Sequence, residues 1–173
     1  MSGEKLPSEE HFRTLSRRGL VAFAARCLRR VQTLPGYQEA HQDIAQIIQA
    51  LWQFPRDLFD EPNTAAHRAE IELHWNQVGS PLVVIACETA LQALGEAGAS
   101  APRWAHGVAV ATDKATLAWG HDISDFLRSD VEALCRLVPG PFPEMGEPLD
   151  ETGLELASPL WPNGGKPPWS QQA

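Results

Sequence analysis

The sequence predicts an all-α fold: a bundle of five or six antiparallel helices, with a Pro/Gly-rich C-terminal tail packed on its surface. Three observations lead there. Apolar residues recur at three- and four-residue steps over most of residues 17–138, the spacing of one face of an α-helix. No segment alternates apolar and polar residues over a useful length, and β-branched residues are sparse. After Leu137 and Val138 the pattern stops, and the last 35 residues hold eight prolines and five glycines. The expected division is therefore a helical domain over 1–138 and an extended tail over 139–173.

The first strong helix runs from about Arg17 to Leu34. Leu20, Ala24, Cys27, Val31 and Leu34 form its stripe, widened by Phe23 and Leu28. Ser16 suits the N-cap, where its hydroxyl can accept from a free backbone N–H. Arg18, Arg26, Arg29 and Arg30 are expected to point largely away from the core. Pro35-Gly36 ends the helix. A second helix spans about Tyr37 to Gln53, with Ile44, Ile47, Ile48, Leu51 and Trp52 on its apolar face. A third runs from Asn63 to about Val78. Ser80 and Pro81 open a fourth, to about Gly95; Pro costs nothing at the first helical position because its missing N–H has no partner there. That helix is apolar nearly all round, so it is expected to be the most central. Pro102 opens a fifth stripe through Trp119, and Ile123, Phe126, Leu127, Val131, Leu134 and Val138 give another. Spacing alone leaves open whether Gly120 bends one long helix or separates two.

Composition bounds the function. The chain has 173 residues, 43% of them hydrophobic and 21% charged, and a net charge of −8. That is globular composition, and one domain of this length buries a core without staples. A net acidic chain is a poor dedicated binder of phosphate backbones, which need positive charge to release counterions. No apolar run is long enough to cross a bilayer, and no secretory leader is visible at MSGEKLPSEE. The three cysteines, Cys27, Cys87 and Cys135, are far apart and odd in number, which fits a reducing cytoplasm. They read as buried small hydrophobes. Only Cys27, between Arg26 and Arg29, comes near the electropositive setting a reactive thiolate needs.

The tail is not a bland linker. It carries Phe142, Met145, Leu149, Leu154, Leu156, Leu160, Trp161 and Trp169, and anchors that large usually dock on something. The seat is expected on the chain's own helices, with a partner groove as the alternative. Trp52, Trp75, Trp104 and Trp119 are expected to fill the core.

Two stretches carry a resemblance. RRGLVAFAARCLRRVQTL at Arg17 to Leu34 resembles the first helix of a group of small bacterial all-helical proteins of unknown function. SPLWPNGGKPPW, Ser158 to Trp169, is similar to a Leu-Trp-Pro-x-Gly ending in the same group. Together they cover about a sixth of the chain. The resemblance implies a helical fold and a whole protein; it brings no catalytic motif.

The strong catalytic signatures are missing: no Gly-x-Ser-x-Gly, no His-Glu-x-x-His, no Gly-x-Gly-x-x-Gly after a strand. One constellation could hold a metal. His67, Glu70 and His74 share a helix face, and bundle metal sites combine imidazole and carboxylate in this way. A second helix would have to contribute, through Glu39, His41 and Asp43 or through His121, Asp122 and Asp125. A solvated polar face is the plainer reading, so no cofactor is expected. The charge distribution is the other signal. Residues 1–30 carry seven basic and three acidic residues, a net +4, which leaves −12 on the remaining 143. Such asymmetry marks either an outside acidic partner or internal pairing with loops such as Asp57, Asp60 and Glu61.

The expectation is a non-enzymatic cytoplasmic interaction protein (an adaptor, inhibitor or accessory subunit). Its protein partner would be met by Trp161, Trp169, Arg18, Arg26, Arg29 and Arg30. A helical-bundle metal-binding protein or enzyme built on His67, Glu70 and His74 is one alternative. A nucleic-acid-linked regulator using the basic first helix is the other, and the less favoured.

Overall fold

A computed structural model describes residues 6–37, 40–56, 81–94, 100–161 and 165–169. Among them the chain is all-α. There are seven helices and no strand: α1 Glu9–Arg13, α2 Arg17–Val31, α3 His41–Arg56, α4 Pro81–Leu94, α5 Ala101–Leu117, α6 Ser124–Leu137 and α7 Glu151–Ala157. A 3-10 turn covers Pro35–Tyr37, and an isolated bridge joins Leu15 to Pro139. No described helix is long and apolar enough to cross a membrane.

The predicted helices at 17–34 and 81–95 are found within a few residues. The second starts later than expected, at His41, because Pro35-Gly36-Tyr37 forms the 3-10 turn first. The predicted third helix, 63–78, and Trp75 on it lie outside the described residues. The long stripe from Pro102 is two helices. α5 ends at Leu117, and Gly120 turns the chain at φ +83°, a backbone region that favours glycine.

Two short helices were not expected. Ser8 opens α1 with a capping box, its side chain accepting from the His11 N–H while the His11 ring accepts from the Ser8 N–H. Asp150 caps α7 through the Gly153 N–H at 2.8 Å, so even the Pro/Gly-rich region holds a helix, between Pro148 and Pro159.

Among the described residues the centre belongs to α2, not to the more apolar α4. Helix α2 packs against α3, α4, α5 and α6, and 12 of its 15 residues are buried. Ser16 caps it, accepting from the Gly19 N–H at 3.1 Å. Gly19 lets Val138 approach: a Cβ there would lie 3.3 Å from that side chain. Phe23 meets Phe12 of α1 edge-on, with centroids 4.8 Å apart. Of the core tryptophans, Trp52 is buried, Trp104 is half-buried, and Trp119 stands 46% exposed just past the end of α5. Trp119 misses the core because the helix has ended two residues before it.

Candidate functional site

Helix α2 points its basic residues at the C-terminal part of its own chain. Residues 139–146 lie across the junction of α1 and α2. The Gly140 N–H donates to the Thr14 carbonyl and the Phe142 N–H to that of Arg13, both at 3.0 Å. In return the Arg17 and Arg18 N–H groups donate to the carbonyls of Glu144, at 2.8 Å, and Met145, at 3.2 Å. The side chains follow: Arg17 Nε donates to the Pro143 carbonyl at 2.9 Å and Arg18 Nη1 to that of Gly146 at 3.1 Å. Three turns further along, Arg29 forms a paired contact with the Glu151 carboxylate, both distances 3.1 Å.

Arg26 and Arg30 do not point away, as their place outside the stripe suggested. They are 1% and 0% exposed, the two largest fully buried side chains of the described residues. A buried guanidinium is tolerated only when paired and hydrogen-bonded, and α6 supplies the counter-charge. Asp130, also fully buried, receives Arg30 Nη2 at 2.8 Å on Oδ1 and Arg30 Nε at 3.1 Å on Oδ2. This is the two-pronged geometry a planar guanidinium favours. Arg26 Nε stands 3.8 Å from the same carboxylate, while its Nη2 reaches Glu155 of α7 at 2.8 Å. Two cations thus face two carboxylates, three of the four groups out of water.

These guanidiniums also hold the main chain of the tail. Arg26 donates to the Ser158 carbonyl and Arg30 to the Leu160 carbonyl. The Ser158 hydroxyl donates to Asp130 at 2.7 Å and contacts the Ser129 hydroxyl at 2.9 Å. Beyond Leu160 the contacts become aromatic. Arg30 lies over the rings of Phe126 and Trp161, 5.3 Å from each centroid, a favourable cation–π distance. Trp161 meets Phe126 edge-on at 5.7 Å and Trp169 at 5.1 Å. Trp169 meets His121 at 5.8 Å and donates its indole N–H to Thr33 at 3.0 Å. The two indoles are 6% and 7% exposed.

All six residues singled out as partner-binding, Trp161, Trp169, Arg18, Arg26, Arg29 and Arg30, therefore converge within the chain itself. The acidic groups opposite the arginines are Asp130, Glu151 and Glu155; Asp57, Asp60 and Glu61 lie outside the described residues. Asp130 is not among the residues expected to act, although its position carries a signal. It falls four residues after Phe126 and three after Leu127, within the apolar stripe of α6, where an isolated acid needs a partner.

The metal candidates His67, Glu70 and His74 lie outside the described residues, as does Glu39. Of their proposed complements, His41 Nδ1 is 3.4 Å from the Gln32 carbonyl oxygen, and His121 packs on Trp169. Asp122 accepts from the Ser124 hydroxyl and N–H, and Asp125 pairs with Arg128. Among the described residues no group of three or more His, Cys, Asp or Glu is placed to hold a metal ion.

Cys27 is not a thiolate in waiting. Burial first, then the nearby Asp130 carboxylate, push its thiol up to about 12. A recess of about 110 Å³ lies elsewhere, between Leu6, Pro7, His11, Arg128, Val131 and Glu132, too small for a cofactor. No family model, curated protein or solved structure matches this chain.

Proposed function

We propose that the chain is a non-enzymatic protein-interaction module, an adaptor, inhibitor or accessory subunit, acting in the cytoplasm. In this reading residues 1–138 are an antiparallel bundle and residues 139–173 a tail docked on it. The seat on α2 and α6 is a recognition surface for an extended segment, filled here by the tail. The observation that carries the reading is the pair of buried guanidiniums, Arg26 and Arg30, that donate to the main-chain carbonyls of Ser158 and Leu160. Main-chain hydrogen bonds with aromatic pockets alongside are the means by which domains hold extended, proline-containing peptides. Arg18 and Arg29 fix the approach of the segment, and Trp161 and Trp169 are its anchors. A nucleic-acid role for the first helix finds no support in guanidiniums this deeply buried, because phosphate contacts need them at the surface.

A peptide-display selection tests this. The bait is the full-length chain carrying Trp161→Ala and Trp169→Ala, with helicity checked by circular dichroism. The expected result is enrichment of tryptophan-containing extended peptides that an Asp130→Ala bait does not retain. A folded bait that enriches nothing over a blank surface would end the reading.

A further inference from the structure

Resting on that reading, we propose that the seat is selective for a hydroxyl residue three positions before a tryptophan, and that the chain's own tail is its resident competitor. A partner segment of that chemistry would bind by displacing Ser158 to Trp169.

The contacts sort into two kinds. Those to the carbonyls of Ser158 and Leu160 carry no sequence information, since every residue has a carbonyl. Two others do. Asp130 accepts from the Ser158 hydroxyl at 2.7 Å while Ser129 contacts the same oxygen, so a residue without a hydroxyl leaves a buried carboxylate short of one donor. Trp161 meets Arg30 and Phe126 together, and an aliphatic residue would forfeit both the cation–π and the edge-on ring contact. Trp169 adds a weaker selection, through Thr33.

Charge limits the occupant to few acidic groups. Asp130 stands at the centre of the seat and already neutralises one guanidinium. When the tail leaves, Glu155 leaves with it, so the open seat holds Arg26, Arg30 and Asp130. It asks for carbonyls, one hydroxyl and, opposite Arg26, a single carboxylate in the place of Glu155.

The connection permits displacement. The tail is fixed twice, first by residues 139–146 on the α1–α2 junction and then by residues within 149–161 and by Trp169 on the seat. Glu147 and Pro148 between them are exposed. The second part can therefore lift while the first stays. A tethered segment of this length has an effective concentration on the order of millimolar. A segment that binds the open seat at about 10 µM would then see the wild-type chain roughly a hundredfold more weakly.

Fluorescence polarisation with a labelled peptide covering residues 155–170 decides the matter. The receptors are the full-length wild type and the full-length Trp161→Ala/Trp169→Ala variant, whose seat residues are untouched. A full-length chain nicked at a protease site engineered between Glu147 and Pro148 serves if the variant does not fold. The peptide should bind the variant or nicked chain at least tenfold more tightly than wild type. Changing Ser158→Ala in the peptide should weaken binding roughly tenfold, the scale of a lost hydrogen bond to a charged acceptor. Changing Trp161→Ala should abolish it. Equal binding of all three peptides, or of a polyglutamate peptide, would overturn the selectivity while leaving the interaction reading in place. No binding of any peptide to a folded receptor would overturn both. Capture of the wild-type chain without binding of the free peptide would make the occupant a second copy, and would also overturn the proposal.

Discussion

The two sides of α2 are buried by different physics. On one side Phe23 meets Phe12 and apolar residues such as Leu20 and Val31 are buried, and the contact is shape and dispersion. On the other, Arg26 and Arg30 meet Asp130, Glu155 and the carbonyls of the tail. The first side loses stability by degrees as methylenes are removed. The second depends on completeness: each buried charge is tolerable only while every partner is present. One helix thus meets apolar side chains on one face and the carbonyls of Ser158 and Leu160 on the other.

The polar side should break hardest. Asp130→Ala leaves Arg30 buried without its counter-charge and Arg26 with Glu155 alone, a loss of about 3–5 kcal/mol. For a chain of this size that lowers Tm by roughly 6–20 °C. A calorimetric change within 1 kcal/mol would mean that the cluster is not closed to water.

Next is the first anchor of the tail. Gly146 has φ +85°, and a Cβ there would lie 2.2 Å from Ser16 Oγ, the N-cap of α2. Gly146→Ala combines an unfavourable backbone region with a disturbed cap, about 1–3 kcal/mol. Urea unfolding should show it, and an unchanged midpoint would remove the claim that this turn abuts α2.

The apolar side can be probed through its thiols. Burial holds Cys27 and Cys87 at about 12, against 9.0 for a free thiol. The folded chain keeps both protons where the unfolded chain begins to release them. The stability they contribute is complete below pH 9 and is lost as pH rises from 9 toward 12, by about 1.4 kcal/mol per pH unit for each thiol. Replacing both cysteines by alanine should flatten that alkaline slope in urea titrations. The same steepness in the variant would place the thiols in water.

The smallest effect is expected at Arg29. Its pair with Glu151 is a third exposed on both sides, so Arg29→Ala should cost less than about 1 kcal/mol. A loss as large as that of Asp130→Ala would erase the distinction between the inner and outer arginines.

The sequence revealed one side of α2 far better than the other. The apolar stripe of α2, the cap at Ser16 and the start of α4 at Pro81 are local patterns, set by periodicity and by single residues, and they stand where expected. Arg26 and Arg30 could not be placed in this way. A helical wheel assigns a charged residue to water unless its counter-ion is known, and Asp130 is 100 residues away from Arg30. Helix α7 was hidden by the prolines around it, although Asp150 and the seven residues after it form a capped turn. Gly120 looked ambiguous because glycine inside a helical pattern either bends or ends it, and only its positive φ decides.

The central claim is that α2 holds the tail through Arg30. A double-mutant cycle on the full-length chain, Arg30→Met with Trp161→Leu, reads that contact directly by urea unfolding. The account predicts non-additivity of about 1–3 kcal/mol, as for residues that share one cluster. Losses that add to within about 0.5 kcal/mol would show that the arginine and the indole do not meet.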